Sequence, residues 1–134
     1  MKKTHLILIT ILLGSIFGFL TTGCSTLKEV PEDMSAAQLI QQGQNAYGLG
    51  DYKAAQMYYN AVIDRFGDDT STYVEARYEL GHLFLKTKDY KKAYAAFSEI
   101  LELYDSASGS EVPPSYKKLA EIGIERIPEN RIKN

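Results

Sequence analysis

The sequence predicts an all-α chain: two helix–turn–helix repeats and a C-terminal capping helix, stacked as a short α-solenoid. Three observations carry that expectation. Six matches share one offset of 38 residues: Gly43 with Gly81, Asp51-Tyr52 with Asp89-Tyr90, Ala55 with Ala93, Tyr59 with Phe97, Ile63 with Leu101, and Phe66 with Tyr104. Within each unit the apolar residues recur at the three- and four-residue spacing of an amphipathic helix. Between successive stripes stand Gly and Asp, residues that end and begin helices.

The first 23 residues read as an address rather than as part of the fold. Lys2 and Lys3 precede an uncharged stretch, Leu6 to Leu20. That stretch is short for a helix crossing roughly 30 Å of hydrocarbon at 1.5 Å per residue, and suits a secretory signal. Leu20-Thr21-Thr22-Gly23-Cys24 then resembles a bacterial lipobox, in which signal peptidase II cuts before a cysteine that receives a diacylglyceryl group. It departs from the pattern at Thr21, where Leu is usual, with Leu20 one residue further back. The resemblance makes Cys24 the lipidation site, and anchoring by two or more acyl chains is stable where one alone is marginal. Residues 24–34 follow as a polar tether containing Pro31, expected to be extended and mobile. Ser25, just after the lipidated position, resembles the sorting pattern of outer-membrane lipoproteins in enteric bacteria.

The helical domain spans 35–127. Ser35 with Gln38 three residues on forms a capping box for the first helix, whose stripe is Ala36, Leu39, Ile40, Gly43, Ala46 and Tyr47. Gly48-Leu49-Gly50 ends it. Asp51 caps the second helix, with Tyr52, Ala55, Tyr59, Val62, Ile63 and Phe66 on one face. Unit one thus covers 35–67. After a break at Gly67–Ser71, unit two covers 72–105. Thr72 with Glu75 reads as its capping box, followed by the stripe Tyr73, Ala76, Leu80, Gly81 and Phe84. Asp89 caps its second helix, which carries Tyr90, Ala93, Phe97, Ile100, Leu101 and Tyr104. Beyond a loop and Pro113-Pro114, a closing helix over 115–127 aligns Tyr116, Leu119, Ala120, Gly123 and Ile127, with Pro128 as its stop. Residues 128–134 form a tail.

These units resemble the tetratricopeptide repeat, a 34-residue helix–turn–helix motif. Unit one matches its pattern with Gly43, Gly50-Asp51-Tyr52, Ala55 and Tyr59. Unit two matches with Leu80-Gly81, Asp89-Tyr90, Ala93 and Phe97, but has Lys88 in place of the turn glycine. A loop over Asp68 to Ser71 accounts for the longer 38-residue period. Two units are few for a repeat protein, which buries its core by stacking, so the last helix is expected to close the exposed end.

Composition narrows the chemistry. A chain of 134 residues, 24% charged and 45% hydrophobic, has room for one modest domain and is too apolar for general disorder. Its net charge of −2 argues against a nucleic-acid binder. Cys24, the sole cysteine, excludes an internal disulfide and any multi-cysteine metal site. After the signal only one histidine remains, His82, whose helical neighbours Tyr78, Glu79 and Lys86 supply no nucleophile with an orienting carboxylate. The pattern predicts no enzyme, no cofactor, no metal and no small-molecule substrate.

The repeat resemblance instead implies a groove lined by the first helix of each unit, which takes a partner peptide or helix. On the family register its positions are Ile40, Gln44 and Tyr47 in unit one, and Glu75, Tyr78, His82 and Leu85 in unit two. Ile40 and Gln44 stand where a carboxylate-clamp groove has Lys and Asn, so that specificity is not expected. A lipobox, a short tether and repeats of this kind together resemble the BamD family of outer-membrane assembly lipoproteins, in abbreviated form. The resemblance implies a bacterial envelope location, with a lipid anchor in the outer membrane facing the periplasm. It also implies an envelope protein partner such as a BamA-like barrel or another assembly subunit. Two other readings remain open: an adaptor of the Tol–Pal or cell-wall type, and a pilotin-like lipoprotein of a secretion or pilus system.

Overall fold

Ser35 opens the helical domain as the spacing predicts: its side chain accepts from the Gln38 backbone N–H, and the Gln38 carboxamide accepts from the Ser35 N–H at 2.8 Å. The computed structural model describes residues 29–106 and 113–132. The expected signal peptide, Cys24 and the first part of the tether fall outside these residues. Five helices follow in order: α1 (Ala36–Gly48), α2 (Tyr52–Phe66), α3 (Thr70–Lys86), α4 (Tyr90–Asp105) and α5 (Ser115–Glu125), with a 3₁₀ turn at Glu129–Arg131. Among the described residues there is no strand. Each helix packs on the next, while α1 also meets α3 and α3 meets α5. This is the connectivity of a short α-solenoid, with α1, α3 and α5 side by side.

One turn closes both helical hairpins. After α1, the Gly50 N–H donates to the Tyr47 carbonyl and the Asp51 N–H to the Ala46 carbonyl. After α3, the Lys88 N–H donates to Leu85 and the Asp89 N–H to Phe84 in the same pattern. This is the Schellman arrangement, which satisfies the last carbonyls of a helix and puts its pivot residue in the left-handed region. Gly50 takes that position at φ 79° without strain, whereas Lys88 takes it at φ 62° with a side chain to accommodate. Lys88 is therefore the turn residue in spite of its identity. Asp51 and Asp89 also cap the next helix, accepting from the backbone N–H of Ala54 and Lys92.

Three expectations are corrected. α3 begins at Thr70, not Thr72: Asp69 is its cap, accepting from the Thr72 N–H at 2.8 Å, so Thr72 and Glu75 form no capping box. The residues expected in a longer loop become an extra turn of helix, making α3 17 residues against 13 for α1. Four residues are close to one 3.6-residue turn, so the insertion lengthens α3 without rotating its buried face. The closing helix stops at Glu125, and Ile127 is buried beyond its end. The near part of the tether is docked rather than mobile. Val30 is buried, Met34 packs on the core, and Arg65 of α2 donates to the carbonyls of Pro31 and Val30.

No side chain caps α5, which follows Pro114 directly. The Tyr104 hydroxyl of α4 does that work from outside, accepting from the Lys117 N–H at 3.1 Å and donating to the Pro113 carbonyl.

The core is built on the residues that share the 38-residue offset. Ala55, Tyr59, Ala93 and Phe97 are fully buried, with Leu39, Leu80, Val62 and Ile100 around them. Tyr59 lies on the backbone of Gly43, where an added Cβ would come within 2.4 Å of its ring. Phe97 lies between two glycines, Gly81 of α3 and Gly123 of α5, each of which would put a Cβ at 2.5 Å. Gly48, by contrast, has open space around it.

Urea unfolding of three variants checks this account. Gly81→Ala should lose about 1–3 kcal/mol through overpacking against Phe97. Lys88→Gly should gain about 1 kcal/mol by relieving the left-handed backbone. Gly48→Ala should be neutral or gain up to about 1 kcal/mol. A Gly81→Ala midpoint equal to the parent's would refute the tight contact.

Candidate interaction face

Side chains from α1, α3 and α5 meet on the side of the solenoid where those helices adjoin. Gln44 of α1 donates to the Glu79 carboxylate of α3 at 2.8 Å. Tyr78 of α3 meets Tyr116 of α5 edge to face, with ring centroids 5.6 Å apart. Tyr47 of α1 lies edge-on to Tyr52. It joins His82, Leu85 and Lys86 of α3, Tyr90 and Arg126 around a pocket of about 340 Å³.

The seven residues placed on this face by register do not share one fate. Gln44 is exposed, and Tyr47, Glu75, Tyr78, His82 and Leu85 are half-buried. Five of these six appear in the cross-helix contacts above, and Glu75 sits one helical turn before Glu79. Ile40 is the exception: it is 6% exposed within the core cluster, so it holds helices together and offers no surface to a partner. Sequence reasoning missed Glu79, Tyr116 and Arg126. Glu79 lies four residues from Glu75 on one helix face, a spacing that could have found it. Tyr116 and Arg126 belong to the closing segment, which has no counterpart in the repeat register.

Electrostatics divide the face. Burial raises the Glu75 carboxyl above its ordinary value, and the Glu79 carboxylate adds to the rise. Burial, with Glu75 and Glu79 behind it, pushes Tyr116 up to about 12. Tyr78 is raised by burial and Glu79, against which Arg126 pulls. The Tyr59 hydroxyl is buried, and burial, then the nearby Glu79 carboxylate, hold its proton on strongly. At the other end His82 shares a 3.0 Å hydrogen bond with the Tyr78 hydroxyl, and its pKa is lowered. Burial is the main cause there; Glu79 opposes the shift and Arg126 reinforces it.

This arrangement can hold an extended or helical polypeptide by ring contacts and charge-assisted hydrogen bonds. Among the described residues no group of three His, Cys, Asp or Glu side chains converges on a metal position.

Two comparisons with known proteins bear on the repeats. A family model described as tetratricopeptide repeat matches residues 40–108, which takes in α2, α3, α4 and most of α1. An uncharacterized protein of Treponema pallidum (strain Nichols) is 34% identical over 116 residues, 87% of this chain. The chain spans about 46% of that relative's length. No solved structure matches.

His82 reports the electrostatics directly. The native state favours its neutral form, so the unfolded chain takes up the proton first as pH falls through the ordinary value of 6.5. Stability that His82 contributes above that pH is lost progressively below it. Imidazole resonances followed against pH should give a midpoint under 6.5. Glu79→Gln should move it lower still, and Arg126→Gln should move it up. A rise in Glu79→Gln or a fall in Arg126→Gln would overturn the assignment of causes.

Proposed function

The chain belongs to the tetratricopeptide-repeat family, and from that membership we propose that it is a lipid-anchored interaction scaffold of the bacterial envelope, acting in outer-membrane protein assembly in the manner of BamD. Repeats of this family mediate contacts between proteins and are typically non-enzymatic scaffolds. The observation that carries the reading is the single face shared by α1, α3 and α5, where Gln44 reaches Glu79 and Tyr78 reaches Tyr116. Half-buried aromatic rings beside polar groups are the composition that binding surfaces favour.

Anchoring rests on the sequence. An uncharged stretch ending in Gly23-Cys24 supports export and lipid attachment, and fixes the domain near a membrane by a short tether. Removing residues 1–23 takes Lys2 and Lys3 with it and leaves 13 basic against 17 acidic side chains, so charge would not hold the domain to an anionic surface. Docking of Val30 and Pro31 against α2 shortens the tether further and would orient the domain relative to its anchor. The partner in this reading is an assembly barrel or one of its accessory subunits.

Purification of the tagged protein from detergent-solubilised membranes, followed by mass spectrometry, tests the partner. Stoichiometric recovery of a BamA-like barrel is expected. Recovery of a Tol–Pal, cell-wall or secretion component in its place would exchange the assembly role for one of the alternative adaptor roles. Cys24→Ala should abolish fatty-acid labelling and leave an uncleaved precursor. Continued labelling would refute the anchor.

A further inference from the structure

The pocket of about 340 Å³ draws on four segments of the chain: Tyr47 of α1, His82, Leu85 and Lys86 of α3, Tyr90 at the start of α4, and Arg126 just past α5. Its size lies at the small end of the roughly 300–1,000 Å³ of ligand pockets, which suits part of a polypeptide segment better than a large cofactor. A cation at a helix end offsets the helix dipole and by itself says nothing of a ligand. Here two such ends bring Lys86 and Arg126 to one concavity, although like charges repel. Neither is spent on an acid of this chain. The ion pairs among the described residues are Arg77 with Glu99, Lys92 with Asp89 and Lys118 with Glu121. Glu79, whose charge reaches His82, accepts from Gln44 instead.

Two further observations agree. The positive field is felt inside the face: Arg126 lowers His82 and pulls Tyr78 down against Glu79. The charge of the helix ends is also sorted. Lys53, Lys88 and Lys91 are exposed at the same end of the stack as the pocket, around the turns that close the hairpins. The tether docks at the other end, where Glu32, Asp33, Asp68 and Asp69 are exposed and Arg65 holds the carbonyls of Val30 and Pro31. Arg65 lies about 20 Å along α2 from Tyr52, at 1.5 Å per residue, and the Tyr52 ring meets Tyr47 of the pocket. The cationic end is thus the one turned away from the point of attachment, toward whatever approaches through water.

Resting on the scaffold reading above, we infer that this face seats a partner segment by an aspartate or glutamate side chain placed between Lys86 and Arg126, with an apolar neighbour of that residue against Tyr47, Leu85 and Tyr90. One carboxylate offsets both cations, and the Arg126 guanidinium can meet it with two parallel N–H donors. The acid comes from within the segment. The positions that would clamp a terminal carboxylate are taken, since Ile40 is buried and Gln44 is bonded to Glu79. The rings give contact area with few rotatable bonds to fix, as binding surfaces do elsewhere.

Selection of a random dodecapeptide display library on the full-length chain in neutral detergent micelles tests this. Each selected peptide is remade with an amidated C-terminus and located by amide shift perturbation. Peptides that perturb α1, α3 and α5 should share an aspartate or glutamate and move the amides of Lys86 and Arg126. Replacing that acid by asparagine or glutamine should weaken binding about tenfold, the low end for a hydrogen bond to a charged group. On the double variant Lys86→Gln with Arg126→Gln, the same replacement should change binding less than about twofold. Peptides that bind this face but share no acid, or respond equally to the replacement on both proteins, would overturn the anion site and leave the scaffold face standing. Doping the micelles with phosphatidylglycerol should leave the amides of Lys86 and Arg126 unmoved. Their movement would give the site to a lipid surface and overturn the peptide as occupant. If no selected peptide perturbs the face, both readings fall. Both side chains are exposed, so the double variant should melt with the parent by circular dichroism; Lys86→Gln alone supplies the same comparison if it does not.

Discussion

Two aromatic rings laid on bare backbone set the spacing of the whole stack. Tyr59 and Phe97 contact helices at glycines, so closely that a single methyl group at Gly43, Gly81 or Gly123 would collide with them. Interiors pack near crystal density, and such contacts fix interhelical distance because neither partner can yield. Phe97 matters most, since it bridges α3 to α5 from α4 and so fastens the closing helix to the second unit. A domain with few repeats depends on that fastening, because each unit leaves an apolar face for a neighbour to cover. Ala120 and Ile127, both buried, show that the closing segment does cover it.

The interaction face follows from this spacing. With α1, α3 and α5 drawn together by their second helices, side chains of moderate length reach across the gaps. Gln44 meets Glu79, and the Tyr78 ring meets Tyr116. The extra turn at the start of α3 adds to the same helix that carries Glu75, Tyr78, Glu79 and His82, so the longest helix of the domain presents most of the face. Charge then varies along α3 in the order of its sequence, acidic at Glu75 and Glu79 and basic at Lys86.

Much of the fold was legible because its determinants repeat. The 38-residue offset picked out Gly43 with Gly81 and Tyr59 with Phe97, and within each unit the glycine and the ring so marked are in contact. Helix starts at Ser35, Asp51 and Asp89 were legible because a cap needs a particular side chain at a particular place. The start of α3 was misplaced because two candidate caps, Asp69 and Thr72, stand three residues apart, and only the folded backbone selects between them. Contacts of long sequence separation were out of reach: Arg65 on Pro31, and Tyr104 on the start of α5. The face was half legible. Register found the positions of α1 and α3, but assigned Ile40 outward although the apolar stripe already claimed it. It had no rule for the closing helix, where Tyr116 and Arg126 complete the surface.

The paired turns at Gly50-Asp51 and Lys88-Asp89 reach beyond stability into the order of events during folding. In each, the Asp backbone closes the preceding helix while its side chain opens the next, so a hairpin can form from residues near one another in the chain. Contacts of short sequence separation form quickly, since little loop entropy must be lost before they are made. Each hairpin is thus a local kinetic unit that can zip before its neighbour arrives. Docking of α5 waits for Phe97 and Tyr104 to be in place, which makes the closing helix a late step and ties its arrival to the completion of the second unit.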